Sequence, residues 1–544
     1  MTSFSEGVTY PRIRVKTGEH RRADADPAPQ RETVRPRRAG IAAGLLGAGV
    51  ALCADGVLHV LVPPVPFAPI SVAQAVIRAA PGAVDAFFID RLQHLARPVA
   101  VVGSVLGFVL LAAVLGAALP EVRRRLGSGA FAAAVLSLPL YGLSLALYRR
   151  EPGMVTLPVY ALAVLVAFVP AAAVSGRAYE AMIEATPDRP PDRVRRRLLG
   201  AAALGAAGIA MGWAGGAQLF RRPNPGRLPL RGADVTPATL PSGLAGNGPF
   251  ARAPGLSPRV TPNDRFYVVN EELLYPDIDP ATWTLRVGGL VDRPFSLRYR
   301  ELRSMPAVEQ FLTLECISNK VGGKLISTAR WVGVPLRDLL RRAGVRPGAV
   351  EVVSRSVDGY ADSIPLVDAM GTGTLIAFGM NGRVLPREHG FPARLLAPGF
   401  YGMKQPKWLG SIEVVDRPFR GYWEARGWIK QAVVKTMSRI DTPRPGGSVG
   451  PVITVAGVAF AGDRGISRVE VSVDGGRTWS EALLEPELSP YSWRRWFYRF
   501  RPQPAGQIEI LARATDGTGA VQTRAVSPPE YSGSTGLHEV IVEQ

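Results

Sequence analysis

The N-terminal part of the chain alternates long apolar runs with short clusters of arginine. A polar, Arg- and Pro-rich segment (1–38) comes first, lacks periodicity and predicts a disordered cytoplasmic tail. Apolar runs follow near residues 39–62, 98–119, 129–148, 155–175 and 198–219. Each run is close to the roughly 20 residues that cross a bilayer as a helix. Buried core helices are the alternative, but five almost uncharged runs in succession favour a transmembrane region over residues 39–220.

The arginine clusters predict how these spans are oriented. "RPRR" (35–38), "EVRRRLG" (121–127) and "PDRVRRRLLG" (191–200) fall on one side of a five-span arrangement. Because cytoplasmic segments carry an excess of Lys and Arg, that side and the N-terminus are expected in the cytoplasm. "YRRE" (148–151) falls on the other side, against this rule. We therefore expect a multi-pass protein of the cell membrane whose chain after residue 220 is extracytoplasmic.

Two segments of the membrane region carry further signals. Residues 66–98 alternate apolar and polar positions and predict an amphipathic hairpin on the outer membrane surface. "VRRRLLGAAALGAAG" (194–208) joins paired arginines to a weakly hydrophobic helix and resembles a twin-arginine export signal used as an internal anchor. An ordinary cluster of positive charge is the alternative. The twin-arginine route carries folded proteins, which suits a domain that acquires its cofactor in the cytoplasm.

The periodicity changes twice after a Pro/Gly linker (221–259). Residues 260–432 mix strand-like segments, "WTLRVGGLV" and "AVEVVSRSV", with a helix, "PLRDLLRRAGV", that ends at a glycine. Residues 433–544 contain short strands and turn signals such as "DGG" (474–476), which predict an immunoglobulin-like β-sandwich. The expected architecture is a five-helix transmembrane region, then an α+β domain, then the sandwich.

Charge and cysteine content narrow the chemistry. The net charge is +19, but the arginines flank apolar runs instead of forming one stripe, so nucleic-acid binding is not expected. The chain has two cysteines, Cys53 in the first apolar run and Cys316. This number excludes a disulfide scaffold and an all-cysteine metal cage.

Cys316 ends a strand-like alternation, "FLTLEC", that places Leu312, Leu314 and Cys316 on one face. From the residues alone it could be a buried structural cysteine or a nucleophile with His389 as a distant base. It could also be the single thiolate ligand of a soft metal whose other ligands come from a cofactor. The sequence has no cluster with zinc spacing, so a metal here would need ligands that are not protein.

Several motifs follow Cys316 in a fixed order. They are "LECISN", "STARWVGVPLRDLL", "DGYADSIPL" and "LIAFGMNGRVLPREHGFPARLLAPGFYGMKQPKWLG". Together they resemble the molybdenum-cofactor domain of the sulfite oxidase family, over residues 260–432. Residues 433–544 resemble that family's second domain, which is used for dimerisation, so a homodimer through this domain is implied. The resemblance also implies that Cys316 binds molybdenum beside the dithiolene sulfurs of one molybdopterin.

The same resemblance implies individual cofactor contacts. The matching positions are Asn270, Asp358, His389, Arg394, Gln405 and Lys407. Lys407 is the expected partner of the pterin phosphate, since a phosphate requires cationic donors and Arg offers a planar fork of them. Taken alone, Arg394 could be in a surface ion pair and His389 could be a core histidine.

Two positions depart from the sulfite-oxidising pattern. Members that oxidise sulfite carry an arginine where this chain has Val269 and a tyrosine where it has Trp428. An oxyanion substrate would lose a charged partner and a hydroxyl donor, unless Arg426 or Lys404 replaces them. We expect Trp428 and Lys404 to shape the substrate entrance. The resemblance therefore predicts the cofactor but not sulfite as the substrate.

The expected function is two-electron oxygen-atom transfer to or from a small molecule, sulfite-like or a sulfoxide, at an extracytoplasmic molybdenum. One alternative is a sulfoxide reductase, including one for methionine sulfoxide in proteins. A metal-free, membrane-anchored binding module is another. Haem is not expected, since the sequence lacks a cytochrome-b5-like "HPGG" and only His59 and His94 of the membrane region could bind it. Electrons would pass to a separate redox partner, a cytochrome or a quinone-linked membrane protein.

Overall fold

A computed structural model describes two parts of the chain and, between them, residue 203. The described parts are 36–183, with gaps at 63–64, 66, 82–83, 85–95, 147 and 149–155, and 224–543, with gaps at 231, 233, 242–243, 245–247, 271–274, 448–449 and 503–505. The tail 1–35 lies outside the described residues. So do the fifth predicted span and the twin-arginine-like segment, apart from Ala203.

Four of the five predicted spans are helices long and apolar enough to cross a membrane. They are α1 (Pro36–Leu61), α3 (Ala96–Leu126), α4 (Gly129–Ala146) and α5 (Leu157–Ile183). The first part of the predicted surface hairpin is a short helix, α2 (Ala68–Ala79). The count of five spans is not confirmed, because the remaining run lies outside the described residues.

Helices α1 and α3 touch through their backbones. A methyl group added at Gly40 would lie 2.2 Å from the carbonyl oxygen of Gly116. One added at Gly44 would lie 2.2 Å from the carbonyl oxygen of Ala112. Helices in lipid gain nothing from hiding apolar surface, so close packing between small residues spaced four apart is what holds them together.

Two sheets build the domain that follows. The first contains β1 (Val235–Thr236), β4 (Ala307–Glu315), β5 (Ile326–Pro335), β8 (Leu375–Met380), β9 (Arg383–Val384) and β10 (Arg394–Leu396). Its order is β1-β4-β5-β8-β10, with β9 beside β8. The second contains β2 (Thr284–Gly289), β3 (Phe295–Arg298), β6 (Glu351–Ser356), β7 (Ala361–Pro365) and β11 (Leu409–Val415), in the order β3-β2-β11-β6-β7. The pairs β1/β4 and β2/β11 are parallel, and the other pairs are antiparallel.

The main core combines side chains of both sheets, including those of Leu285 on β2 and Phe378 on β8. Short helices complete the domain: α6 (Tyr299–Ser304), α7 (Leu336–Ala343) and α8 (Leu366–Ala369). Helix α7 is the one predicted from "PLRDLLRRAGV". Its three leucines, Leu336, Leu339 and Leu340, are fully buried, and it ends at a left-handed glycine.

The C-terminal unit is a β-sandwich of two four-stranded antiparallel sheets. The first contains β12 (Met437–Thr442), β13 (Ile453–Phe460), β17 (Arg494–Phe500) and β16 (Leu483–Leu484), in that order. The second contains β15 (Ser480–Glu481), β14 (Ile466–Ser472), β18 (Gln507–Asp516) and β19 (His538–Glu543), in that order. Both sheets contribute to one core. The sandwich is confirmed, while its immunoglobulin-like topology stays a prediction.

The sandwich packs directly against the preceding domain. One aromatic cluster joins Tyr360, Trp423 and Trp428 to Phe460 and Trp493 of the sandwich. The Trp493 N–H also donates to Thr313 Oγ1 on β4 at 2.7 Å. The surface that carries the candidate site is therefore supported from both units.

The α1–α3 contact can be tested with one methyl group. Gly116→Ala forces a Cβ to within 2.3 Å of the Gly40 carbonyl oxygen, so we expect a loss of about 1–3 kcal/mol of stability. Gly107→Ala on the same helix is the control, because nothing among the described residues lies within 4 Å of its added Cβ. Unfolding in mixed detergent micelles measures both. Equal stability of the two variants would contradict the packing.

Candidate cofactor site

A cleft opens where the end of β4, the β6–β7 turn and the segment 387–408 meet, with about 790 Å³ of space when the solvent at its mouth is included. Most of the predicted site residues line it: Cys316, Asp358, His389, Arg394, Gln405, Lys407 and Trp428. These residues are far apart in sequence, so the fold brings together the set that the motifs predicted. Asn270 and Lys404 do not line the cleft.

Cys316 follows directly after β4. Its N–H donates to the Leu325 carbonyl at 2.9 Å, and its own carbonyl accepts from the Asn319 N–H at 2.9 Å. The Asn319 side chain then ties the loop together, donating to Glu315 Oε1 and accepting from the Leu325 N–H, both at 2.9 Å. The cysteine is 9% exposed, at the wall of the cleft, so its thiol is held at an opening and not within the apolar core.

Arg394, the first residue of β10, places a buried cation at the cleft. Its Nη1 donates to the His389 carbonyl at 3.1 Å and its Nη2 to the Gln405 carbonyl at 3.2 Å. Among the described residues it forms no ion pair. Burial lowers the pKa of Arg394 to about 10, so the guanidinium stays charged at neutral pH. A buried charge without a counter-ion is costly, which makes the cleft receptive to an anion.

His389 is neutral in this environment. It lies in the 3-10 helix Arg387–His389, and burial lowers its pKa to about 3, with the charges of Lys407 and Arg394 acting in the same direction. Its Nε2 is 3.1 Å from the Asn263 carbonyl oxygen. Because a carbonyl can only accept, Nε2 carries the hydrogen and Nδ1 is an acceptor.

The segment after β10 fixes the other polar side chains. Lys407 Nζ donates to the Val269 carbonyl at 2.9 Å and to the Glu388 carbonyl at 3.3 Å. The Gln405 side chain accepts from the Ala397 N–H at 3.0 Å and donates to the Phe400 carbonyl at 2.8 Å. The Gln405 amide thus stabilises its own loop through two hydrogen bonds. The two carbonyl contacts of Lys407 fix its ammonium at the wall of the cleft.

Several polar atoms around the site are buried without a hydrogen-bond partner in the described part of the chain. They are both amide atoms of Asn270, Ser356 Oγ and Trp428 Nε1. Such atoms are rare in folded proteins, because each costs roughly 1–3 kcal/mol. Asp358, in contrast, caps its turn by accepting from the Tyr360 N–H at 3.0 Å.

Two predicted substrate residues lie elsewhere. Lys404 is buried in ion pairs with Asp362 and Glu424. Arg426 stacks over the Tyr422 ring at 3.7 Å and donates to the main-chain oxygens of Tyr422 and Arg78, at 3.1 and 3.0 Å. Neither side chain lines the cleft, so neither occupies the place of the missing arginine at Val269.

Several aromatic residues of the cleft were not predicted from the sequence. Tyr267, Tyr360 and Trp423 are among them. Each lies within three residues of a predicted position, in "FYVVN", "SVDGY" and "YWEARGW". Aromatic side chains near a motif are the signal that could have identified them, but aromatics at such positions are more often core residues.

Comparisons with known proteins agree with this geometry. A family model described as "Oxidoreductase molybdopterin binding domain" matches residues 272–423, and one described as "Mo-co oxidoreductase dimerisation domain" matches residues 430–528. The sulfite oxidase of Gallus gallus is 32% identical over 320 residues, which cover 49% of this chain and 69% of that protein. The chain belongs to the sulfite oxidase family of molybdenum oxidoreductases.

Coverage differs among the other similar proteins. The mitochondrial sulfite oxidase of Macaca fascicularis is 35% identical over 321 residues, 49% of this chain and 58% of that protein. The chain thus spans little more than half of that relative. Among solved structures, the sulfane dehydrogenase SoxCD from Paracoccus pantotrophus matches with a TM-score of 0.48 and 23% identity, over 56% of this chain and 87% of that chain.

A molybdenum–molybdopterin cofactor, which the family match supports, fits the described side chains. The buried cation of Arg394 and the ammonium of Lys407 suit a phosphate. Ser356 Oγ and Trp428 Nε1, which have no hydrogen-bond partner among the described residues, belong to side chains that line the cleft, so a polar ring system bound there can satisfy them. The thiol of Cys316 opens into the same cleft.

Replacing Arg394 tests the basic side of this cleft. Lysine keeps the charge but cannot reach both the His389 and the Gln405 carbonyls, so we expect Arg394→Lys to lose about 1–3 kcal/mol of stability and most of its bound molybdenum. Arg383→Lys, at an exposed position on β9, is the matched control. Thermal unfolding and elemental analysis measure the two effects. Full molybdenum content in Arg394→Lys would exclude the assigned role.

Proposed function

We propose that this protein is a membrane-anchored, extracytoplasmic molybdopterin-dependent oxidoreductase that transfers an oxygen atom in a two-electron reaction. The single observation that carries the proposal is that Cys316 and Arg394, whose guanidinium forms no ion pair among the described residues, line one cleft. A soft metal prefers the thiolate and a phosphate prefers the guanidinium. A molybdenum atom chelated by one phosphorylated pterin satisfies both.

The proposed roles of the side chains follow from their environments. When bound, the cofactor supplies oxygen-atom exchange coupled to two electrons. Cys316 provides the protein ligand. Arg394 and Lys407 bind the phosphate. The role of Asn270 as a hydrogen-bond partner of the pterin rests on the family resemblance, since Asn270 does not line the cleft. His389 offers Nδ1 as an acceptor, while Asp358 and Gln405 hold the loops that present these groups.

The cleft favours a neutral substrate over sulfite. Its two described cations, Arg394 and Lys407, are assigned to the cofactor phosphate, and the remaining wall includes Tyr360, Trp423 and Trp428. Lys404 and Arg426, which could have replaced the arginine missing at Val269, are bonded elsewhere. An oxyanion would have to leave water without a charged partner. We therefore propose a sulfoxide or the corresponding thioether, with Trp428 shaping the entrance.

The proposed membrane attachment brings the cleft near the bilayer. Arg426 caps the C-terminal end of α2 through the Arg78 carbonyl and lies two residues from Trp428. An electron partner in or on the membrane can therefore reach this side of the domain. We propose a cytochrome or a quinone-linked membrane protein as that partner, without haem in this chain, and a homodimer through residues 433–544.

Exchanging the cysteine tests the proposed function. Cys316→Ser replaces the soft thiolate by a harder oxygen, so oxygen-atom transfer should fall at least about 100-fold. Cys53→Ser, in the first span, should keep the wild-type rate. Sulfite, nitrate and several sulfoxides are assayed with artificial electron carriers, and sulfoxides should react fastest. An unchanged rate in Cys316→Ser, or absence of molybdenum from the wild type, would refute the proposal.

Labelling from outside the cell tests the topology. A cysteine introduced at exposed Ala520 should react with a membrane-impermeant maleimide in intact cells, whereas one at exposed Arg125 should react only after lysis. The parent protein is the control, because Cys316 is buried and Cys53 lies in α1. The reverse labelling pattern would place the catalytic domain in the cytoplasm.

A further inference from the structure

Lys404 lies between two carboxylates next to the aromatic wall of the cleft. Its Nζ donates to Asp362 Oδ1 at 2.8 Å and forms a second ion pair with Glu424. The side chains of Lys404, Asp362 and Glu424 are 2%, 0% and 6% exposed. They come from the 3-10 helix Gly402–Lys404, from β7 and from the 3-10 helix Glu424–Arg426. We call these three residues the triad.

The triad has one positive and two acidic groups. With both carboxyls ionised, it would bury one uncompensated negative charge, which is costly in a protein interior. One additional proton removes that charge, and this proton is shared by the three interacting residues and not owned by one of them. Burial raises the pKa of Asp362 to about 6, against the lowering effect of Lys404, and the charge of Glu424 adds to the increase. The triad is therefore a place where a proton is bound and released near physiological pH.

The hydrogen bonds indicate which oxygen carries this proton. Asp362 Oδ1 already accepts from Lys404 Nζ and from the Ser363 N–H, both at 2.8 Å. Asp362 Oδ2 faces the Tyr360 hydroxyl at 3.5 Å, and that hydroxyl donates to the Met403 carbonyl at 2.6 Å. Since the tyrosine hydrogen is donated to Met403, a proton on Oδ2 is the one that can complete the contact.

The surroundings close this group off from water. A methyl group added at Gly421 would lie 2.7 Å from the Asp362 carboxyl, so the main chain covers it. Among the described residues, Arg420 also contacts the triad: its Nε donates to the Glu424 main-chain oxygen at 3.4 Å. Tyr360 lines the cleft and thus connects the buried carboxyl to it.

We propose that the triad stores one proton and exchanges it with the cleft through the Tyr360 hydroxyl. The proposal rests on the proposed function. For a thioether X, the overall reaction of that function is X + H₂O → XO + 2 H⁺ + 2 e⁻, and the two electrons pass to the redox partner. In the reverse direction the Tyr360 hydroxyl turns away from the Met403 carbonyl and its hydrogen moves to an acceptor in the cleft, while the proton on Asp362 Oδ2 moves to the Tyr360 oxygen. Water in the cleft supplies the second proton. Glu424, the most exposed member, reloads the triad through Lys404.

Infrared difference spectra of the full-length holoenzyme in lipid nanodiscs test the stored proton. The wild type should show a protonated-carboxyl band at pH 5 that disappears as the pH rises through about 6. Asp362→Asn should remove the band. Glu424→Gln leaves the Asp362 carboxylate as the single partner of the Lys404 ammonium, so the infrared band should disappear at a lower pH than in the wild type. Asp338→Asn, at a half-exposed position on α7, is the control and should change nothing. The same band in Asp362→Asn would overturn the proposal.

Tyr360→Phe tests the exchange separately. This variant should keep the infrared band but reduce turnover about 100-fold with artificial electron carriers, with an altered solvent deuterium isotope effect. Wild-type turnover and an unchanged isotope effect in Tyr360→Phe would overturn the exchange through Tyr360. If the holoenzyme transfers no oxygen at all, the proposed function fails, and the infrared result alone still decides whether the triad holds a proton.

Discussion

The arrangement of the site depends on one buried positive charge. Arg394 begins β10, the strand at one end of the first sheet. It is 5% exposed and, within the described residues, is held by carbonyl oxygens and not by a carboxylate. Burial lowers the pKa of its neighbour His389, and the charges of Lys407 and Arg394 act in the same direction, so the imidazole stays neutral. A cavity with this electrostatic character is incomplete without an anion. Molybdopterin, the cofactor that the family match supports, carries such an anion in its phosphate, and the proposed ligand of its metal is the Cys316 thiol at the wall of the same cleft.

The site also depends on contacts between units that are distant in sequence. The aromatic wall of the cleft belongs to a cluster that extends into the sandwich. The 3-10 helix Glu424–Arg426 is bonded on one side to Lys404 and on the other to α2 of the membrane region. Contacts with the N-terminal helices therefore reach the residues that line the cleft. Under the proposed membrane attachment, these helices would also help to position the catalytic domain.

Hydrophobic periodicity predicted the helices and strands whose buried faces can be recognised within one short segment of sequence. The helix with Leu336, Leu339 and Leu340, four of the apolar spans and the sandwich all appear where the pattern placed them. The seven predicted residues at the cleft were found through the family resemblance. The sequence separation between Cys316 and Arg394 does not by itself predict that the two residues lie close together. The partners of Lys404 and Arg426 could not be predicted, because a long cationic side chain can reach several acceptors and only the tertiary fold decides which. The fifth span and the role of the twin-arginine-like segment stay predictions.

The most direct measurement of the central claim is X-ray absorption spectroscopy at the molybdenum edge, on the purified full-length protein and on Cys316→Ser. If Cys316 is the protein ligand, the spectrum of the variant should show one fewer sulfur neighbour around molybdenum than that of the wild type. The sulfur neighbours contributed by the pterin should be the same in both. Identical sulfur coordination in the two proteins would contradict the account.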